Sequence, residues 1–188
     1  VVTRRRGMTG LRRIVLGSVA TKLLSQITFL PLILVGKLTL NHKILLAFDG
    51  SENAMNAVKF AGTLLGGFDY EVSLFHVLRS NEAGRSEHRH IFSSKEFAKI
   101  ASKEMASSLK KAQTELIHAG LKANKVSSQI VSGAISRAGA IAQRAKQENF
   151  GTIVMGRRGH SSVRDFFVGR VTNKVIHLAR DRTVWVVR

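Results

Sequence analysis

From His42 onward, short apolar runs alternate with helix-periodic stretches, and this alternation limits the chain to very few folds. "KILLAFD" is too short for a helix and has no polar alternation, which suits a strand buried on both faces. "GSENAMNAVKFAGTLLGG" follows, with Ser51 placed as an N-cap. Ala54, Ala57, Val58, Ala61, Leu64 and Leu65 share one helical face, and Gly66-Gly67 gives the stop. "YEVSLFHVL" reads as a second strand. A long helix is expected from near Lys95 to His118, ending at Gly120. "KVSSQIV", "SRAGAIAQRAKQ" and "GTIVMG" continue as strand, helix and strand. A helix from about Val171 and the strand "TVWVV" close the chain. Such alternation predicts an α/β domain over residues 42–188, with a five-stranded parallel sheet and helices on both faces. The polar, aperiodic stretch from Ser80 to Ser93 reads as a mobile loop beside the sheet.

The first forty residues are explained by an internal repeat. "GRRGHSSVRDFFVGRVTNKVI" from Gly156 overlays "TRRRGMTGLRRIVLGSVATKLL" from Thr3 at one offset, so that Gly159 meets Gly7 and Gly169 meets Gly17 (159 − 7 and 169 − 17 are both 152). At that offset Arg157, Arg158, Arg164, Val171 and Lys174 also meet their own residue types. Residues 1–36 therefore read as the last strand, helix and strand of a preceding copy, and 37–41 as a linker. Three elements cannot bury a sheet by themselves. The apolar strand "PLILV" (Pro31–Val35) is expected to pair with "TVWVV" (Thr183–Val187), within the chain or across a dimer.

Charge and composition narrow the function. The 188 residues are 44% hydrophobic and 22% charged, enough apolar material for a core. A net charge of +18 attracts phosphates, nucleic acid or anionic lipid without choosing among them. With no cysteine, thiolate metal sites and disulfides are excluded. The apolar stretch ending in "FLPLILV" is interrupted by Lys22, Ser25, Gln26 and Lys37, whereas a membrane span needs roughly 18 uninterrupted apolar residues. No membrane role is expected. His88 and His90 lack a metal-binding pattern, and "GSVATK" lacks the spacing of a phosphate loop.

The chemistry-bearing stretch has the spacing Gly-x2-Gly-x9-Gly, at Gly156, Gly159 and Gly169. It follows a buried strand, and its last glycine opens a helix. Glycines there let backbone N–H groups approach an anion, and the helix N-terminus adds partial positive charge. In an open α/β sheet, ligands bind beyond the carboxyl ends of the strands where strand order reverses. Asp49 ends the first strand and Gly156 the fourth, so neighbouring strands would bring both to one crevice. Asp49 suits a sugar hydroxyl or base amine there, or alternatively a cap for the next helix.

"KILLAFDGSENAMNAVKFA", the "HVL" closing the second strand, and "IVMGRRGHSSVRDFFVGRVTNKVI" together resemble the universal stress protein family, from residue 42 to 188. Residues 1–36 resemble the tail of a tandem member. The resemblance implies a Rossmann-like fold of the adenine nucleotide alpha hydrolase type, dimerisation through the last strand, a cytoplasmic location and, in one branch, ATP with Mg. It implies that Gly156, Gly159 and Gly169 cradle phosphates, that Asp49 and Val77 contact adenosine, and that Met155 lines the base pocket. Ala47, Arg158, His160, Arg170, Val171 and Thr172 complete the implied site. Arg170 stands where that branch carries Ser or Thr. In the partial copy Ser18 fits, but Arg4 replaces the first glycine. The expected function is a stress-response protein holding ATP or a related adenine nucleotide as a regulatory ligand, at most a weak ATPase. The alternative is a nucleotide-free, dimerising interaction module, whose protein partner the sequence does not name. A nucleic-acid-binding role is the less favoured third reading.

Overall fold

The computed structural model describes residues 1–4, 16–37, 41–79, 94–160 and 168–188. Seven strands form one sheet in the order β1-β2-β7-β6-β3-β4-β5. They are β1 (Val2–Arg4), β2 (Leu32–Val35), β3 (Lys43–Ala47), β4 (Glu71–Arg79), β5 (Val126–Ala134), β6 (Thr152–Gly156) and β7 (Thr183–Val187). The five strands β7-β6-β3-β4-β5 are mutually parallel, as the strand–helix alternation requires. The sheet is nevertheless seven-stranded rather than five-stranded. Strand β2 adds antiparallel to β7, with Leu32, Ile33 and Leu34 opposite Val186, Trp185 and Val184, and β1 adds parallel to β2. The expected pairing of Pro31–Val35 with Thr183–Val187 thus occurs within the chain. An unpaired β7 edge would leave a row of backbone donors and acceptors open, and β2 closes it.

Among the described residues five α-helices cover the sheet: α1 (Ser18–Gln26), α2 (Glu52–Leu65), α3 (Ser94–His118), α4 (Arg137–Gln147) and α5 (Arg170–Leu178). Helices α1, α4 and α5 pack on one face, where Ala20, Leu24, Ile141 and Val175 meet Leu34, Leu45 and Val184. Helices α2 and α3 cover the other, where Val58, Ala61 and Leu116 meet Ile44, Leu46 and Leu74. The first of these cores joins α1 and β2 to the parallel sheet, so residues 16–37 are not an appendage with a core of their own. Helix α2 starts as its sequence dictates: the Ser51 hydroxyl accepts from the Ala54 N–H at 3.2 Å. It stops at Gly66, with Gly67 at φ +82°. No helix among the described residues is long and apolar enough to cross a membrane.

The N-terminal elements reproduce the C-terminal ones in detail. Val2 pairs with Ile33 and Thr3 with Leu34, and 152 residues on, Val154 pairs with Trp185 and Met155 with Val186. Helices α1 and α5 keep the same offset at both ends. Their N-caps, Gly17 (φ −52°, ψ 147°) and Gly169 (φ −59°, ψ 149°), share one conformation. The β2–β7 pairing is centred on Ile33 opposite Trp185, two residues that are themselves equivalent at this offset. It therefore has the self-complementary form of a two-fold contact. The stretch Ser80–Ser93, expected to be mobile, lies outside the described residues.

Candidate functional site

Strand β3 lies between β4 and β6, and chain order reverses on its two sides. This is the switch point at which an open α/β sheet leaves a crevice at its carboxyl edge. A cleft of about 430 Å³ opens there, within the usual range for small-molecule sites, roughly 300–1,000 Å³. Every residue expected from the sequence borders it. Ala47 and Asp49 come from the end of β3, Val77 from β4, and Met155 and Gly156 from β6. Arg158, Gly159 and His160 form the loop after β6, and Gly169, Arg170, Val171 and Thr172 the start of α5. Phe48, Ala54, Phe75, His76, Arg137 and Ile141 also line the cleft, and the sequence reading missed them as site residues. For His76 a signal existed, since "HVL" marks the strand end that points at the crevice.

Close packing explains the first glycine of the stretch. A Cβ on Gly156 would lie 2.8 Å from the Asn53 carbonyl carbon and 2.9 Å from the Ala54 nitrogen, at the first turn of α2. A Cβ on Gly159 would press on Asp49 Oδ2, the far end of a side chain that can shift. The end of β6 can therefore sit against the backbone of α2 only without a side chain at Gly156. Asp49 does not cap α2; Ser51 does. Asp49 Oδ1 instead accepts from the Ser51 N–H at 3.0 Å and from its hydroxyl at 2.6 Å. Oδ2 is the oxygen on the loop side.

Polar groups divide the cleft into two ends. Beside α5 the donors converge. No side chain caps the N-terminus of this helix, where backbone N–H groups and the helix dipole favour an anion. Arg158 lines the cleft, and its buried Nε has no hydrogen-bond partner among the described residues, an expensive arrangement for a guanidinium N–H. Thr172 borders the same end, but its hydroxyl donates to the Gly156 carbonyl at 2.9 Å and ties α5 to β6. At the other end Ala47, Phe75, Val77, Ile141 and Met155 form an apolar wall. Arg137 Nε donates to the Val77 carbonyl at 3.4 Å there. Among the described residues, the charged groups lining the cleft are Arg137, Arg158, Arg170 and one carboxylate, Asp49.

Two histidines brace the rim. His160 Nε2 donates to the Asp49 carbonyl at 2.9 Å, closing the loop over the end of β3. His76 is buried and holds the Phe48 carbonyl at 2.7 Å through Nδ1. A carbonyl only accepts, so Nδ1 carries the proton. Burial holds the pKa of His76 below its ordinary 6.5, against the raising effect of that hydrogen bond, and Arg137 and His160 lower it further. The ring is neutral at pH 7, with Nε2 as an acceptor. Among the described residues no group of three His, Asp or Glu side chains could hold a metal ion.

By chemical type the cleft suits a small ligand with an apolar part at one end and an anionic group at the other, beside Arg158, Arg170 and the α5 N-terminus.

Residues 41–188 match the Universal stress protein family. Among solved structures, the hypothetical protein MJ0577, subject of a structure-based assignment of biochemical function, is 28% identical with a TM-score of 0.67. That match covers 79% of this chain and 96% of the other. A universal stress protein in complex with cAMP is 18% identical, TM-score 0.56, over 78% of this chain and 96% of its own. The universal stress protein from Archaeoglobus fulgidus in complex with dAMP is 20% identical, TM-score 0.54, over 80% of this chain and 100% of its own. No curated protein matches the chain.

Proposed function

The chain belongs to the universal stress protein family, and from that premise we propose that it binds an adenine nucleotide, ATP foremost, as a regulatory ligand without efficient turnover. One observation carries this reading. An apolar wall and an anion-receptive helix N-terminus, with Arg158 and Arg170 among the lining residues, share one cleft at the switch point of the sheet. The fold neighbours in complex with cAMP and dAMP support adenine as the base. In this reading the base lies against Val77 and Met155, Asp49 takes a ribose hydroxyl, and Gly156 to Gly159 with Gly169 to Val171 surround the phosphates. Magnesium would be carried by the phosphates. Arg170 lines the phosphate end as the first residue of α5. Helix side chains lean toward the N-terminus, so its guanidinium acts as a phosphate clamp in place of the hydroxyl that Ser or Thr would bring.

In this reading Asp49 Oδ1, His160 Nε2 and His76 Nδ1 serve to hold the rim, through Ser51, the Asp49 carbonyl and the Phe48 carbonyl. A cytoplasmic location accords with this role.

Residues 1–36 are, in the same reading, the C-terminal part of a preceding copy, docked as the other half of a pseudo-dimer. The support is the 152-residue offset common to sequence, strand register and helix ends.

A second reading has its own observation. Gly156 is needed by packing against Asn53 and Ala54, whether or not a ligand binds, so the end of β6 would keep its form in a nucleotide-free interaction module. Denaturing the purified protein and chromatographing the supernatant separates the two. Released adenine nucleotide near one equivalent supports the first. Its absence, with no ATP uptake on titration, supports the second.

A further inference from the structure

Arg157 is one of four arginines in the glycine-spaced stretch, yet it is 4% exposed and does not line the cleft. Its guanidinium runs the other way, to the C-terminal end of α1. Nη1 donates to the Ile27 carbonyl at 2.9 Å, and Nη2 donates to the Leu24 carbonyl. These belong to the carbonyls a helix leaves unpaired at its C-terminus, where the dipole favours a cation. Helix α1 has no basic residue in its own last turn, so Arg157 supplies the charge from 130 residues away.

The backbone of the same residue is equally tied. Its N–H donates to the Val187 carbonyl at 2.5 Å, and its carbonyl accepts from the Gly169 N–H at 2.8 Å. Gly169 is the N-cap of α5, the helix whose end faces the phosphate side of the cleft. A single residue therefore joins three things: the end of β7, the start of α5, and the docked segment α1–β2. Neighbouring Arg158, on the opposite side of the loop, is the one that borders the cleft.

We infer that the docked segment, residues 18–35, is a positioning element of the nucleotide site, and that Arg157 is the positioning residue that links them. The inference rests on the adenine-nucleotide reading of the cleft. With α1 in place, Arg157 is held from both ends, and with it the Gly169 N-cap of α5, whose N–H donates to the Arg157 carbonyl. Without it, the loop loses that anchor while the apolar wall is untouched. The effect therefore falls on phosphate rather than on adenosine. Linkage makes the coupling reciprocal: phosphate bound in the loop must hold α1 more tightly in its dock.

The test uses the full chain, ATP and adenosine. On wild type, hydrogen exchange of residues 18–35 is measured with and without saturating ATP, and slowing is expected. Arg157→Met, which keeps length but loses the fork, is expected to weaken ATP about fivefold or more and adenosine less than about twofold. Arg157→Lys, which keeps the charge, should recover part of the loss. Exchange in residues 18–35 unchanged by bound ATP would overturn the coupling. So would equal weakening of ATP and adenosine, which marks a purely structural role, or a Met variant that binds ATP as wild type does. Should the Met variant fail to fold, the wild-type exchange experiment and Arg157→Lys decide. Failure of wild type to bind ATP at all would instead remove the nucleotide reading, and the inference with it.

Discussion

Leu34→Ala tests whether residues 1–36 and the parallel sheet are one cooperative structure. Leu34 is fully buried on β2, opposite Val184 of β7, in the core that also holds Ala20, Leu24 and Val175. The substitution removes three carbons, worth about 0.8 kcal/mol each in lost burial, so about 2.4 kcal/mol before any cavity. Strands on both sides hold the backbone in register, which limits collapse around the gap and adds a cavity cost. A loss of about 3 kcal/mol is expected, near the low end of the measured range for buried Leu→Ala changes. For a chain of this length that lowers the melting temperature by roughly 6–12 °C, at about 2–4 °C per kcal/mol. Scanning calorimetry reads both the shift and its form. One transition, moved as a whole, is expected. A shift corresponding to less than about 1 kcal/mol would refute the shared core. So would a separate early transition carrying the whole effect.

Three further outcomes follow from the site. Gly156→Ala forces a Cβ against the backbone of Asn53 and Ala54, so thermal unfolding should drop by about 1–3 kcal/mol and ATP binding should weaken; an unchanged melt would contradict the packing. The lowered pKa of His76 means the unfolded chain takes up its proton first on acidification, so stability contributed here falls as pH drops below about 6.5. Urea midpoints at pH 7.5 and 5.5 should differ more in wild type than in His76→Gln, and equal differences would refute it. Arg170→Ser should weaken ATP and flatten its salt dependence with little effect on adenosine; tighter ATP binding would show that Arg170 plugs the site.

Where the sequence was legible, local rules acted alone. Ser51, Gly66 and Gly67 mark the ends of α2 through capping and turn chemistry that needs no partner. The repeat located β1, α1 and β2, since the equivalent elements at the C-terminus carried a readable pattern. The twelve residues expected at the site line one cleft because Asp49 follows β3 and Gly156 ends β6, its neighbour in the sheet. The number of strands in the sheet was not legible in the same way. Parallel alternation sets five, and the apolar β2 was expected to extend them; whether it does so within the chain or from a second copy is what no local pattern encodes. Arg157 and Arg158 are adjacent and chemically identical, yet one is buried under α1 and the other lines the cleft. Only the fold distinguishes them. Asp49, open in sequence between cap and ligand contact, proves to hold Ser51 while Ser51 caps the helix.

The central claim, an adenine nucleotide held at the switch point, is tested most directly by calorimetric titration of the full chain with ATP, with GTP in parallel. One ATP per chain is expected, with an affinity that falls as salt rises, because the proposed site puts the phosphates beside the lining residues Arg158 and Arg170. GTP should bind more weakly, since the contacts at the apolar end are assigned to adenine. No heat and no displacement with ATP at any salt concentration would contradict the claim and leave the fold as a nucleotide-free interaction module.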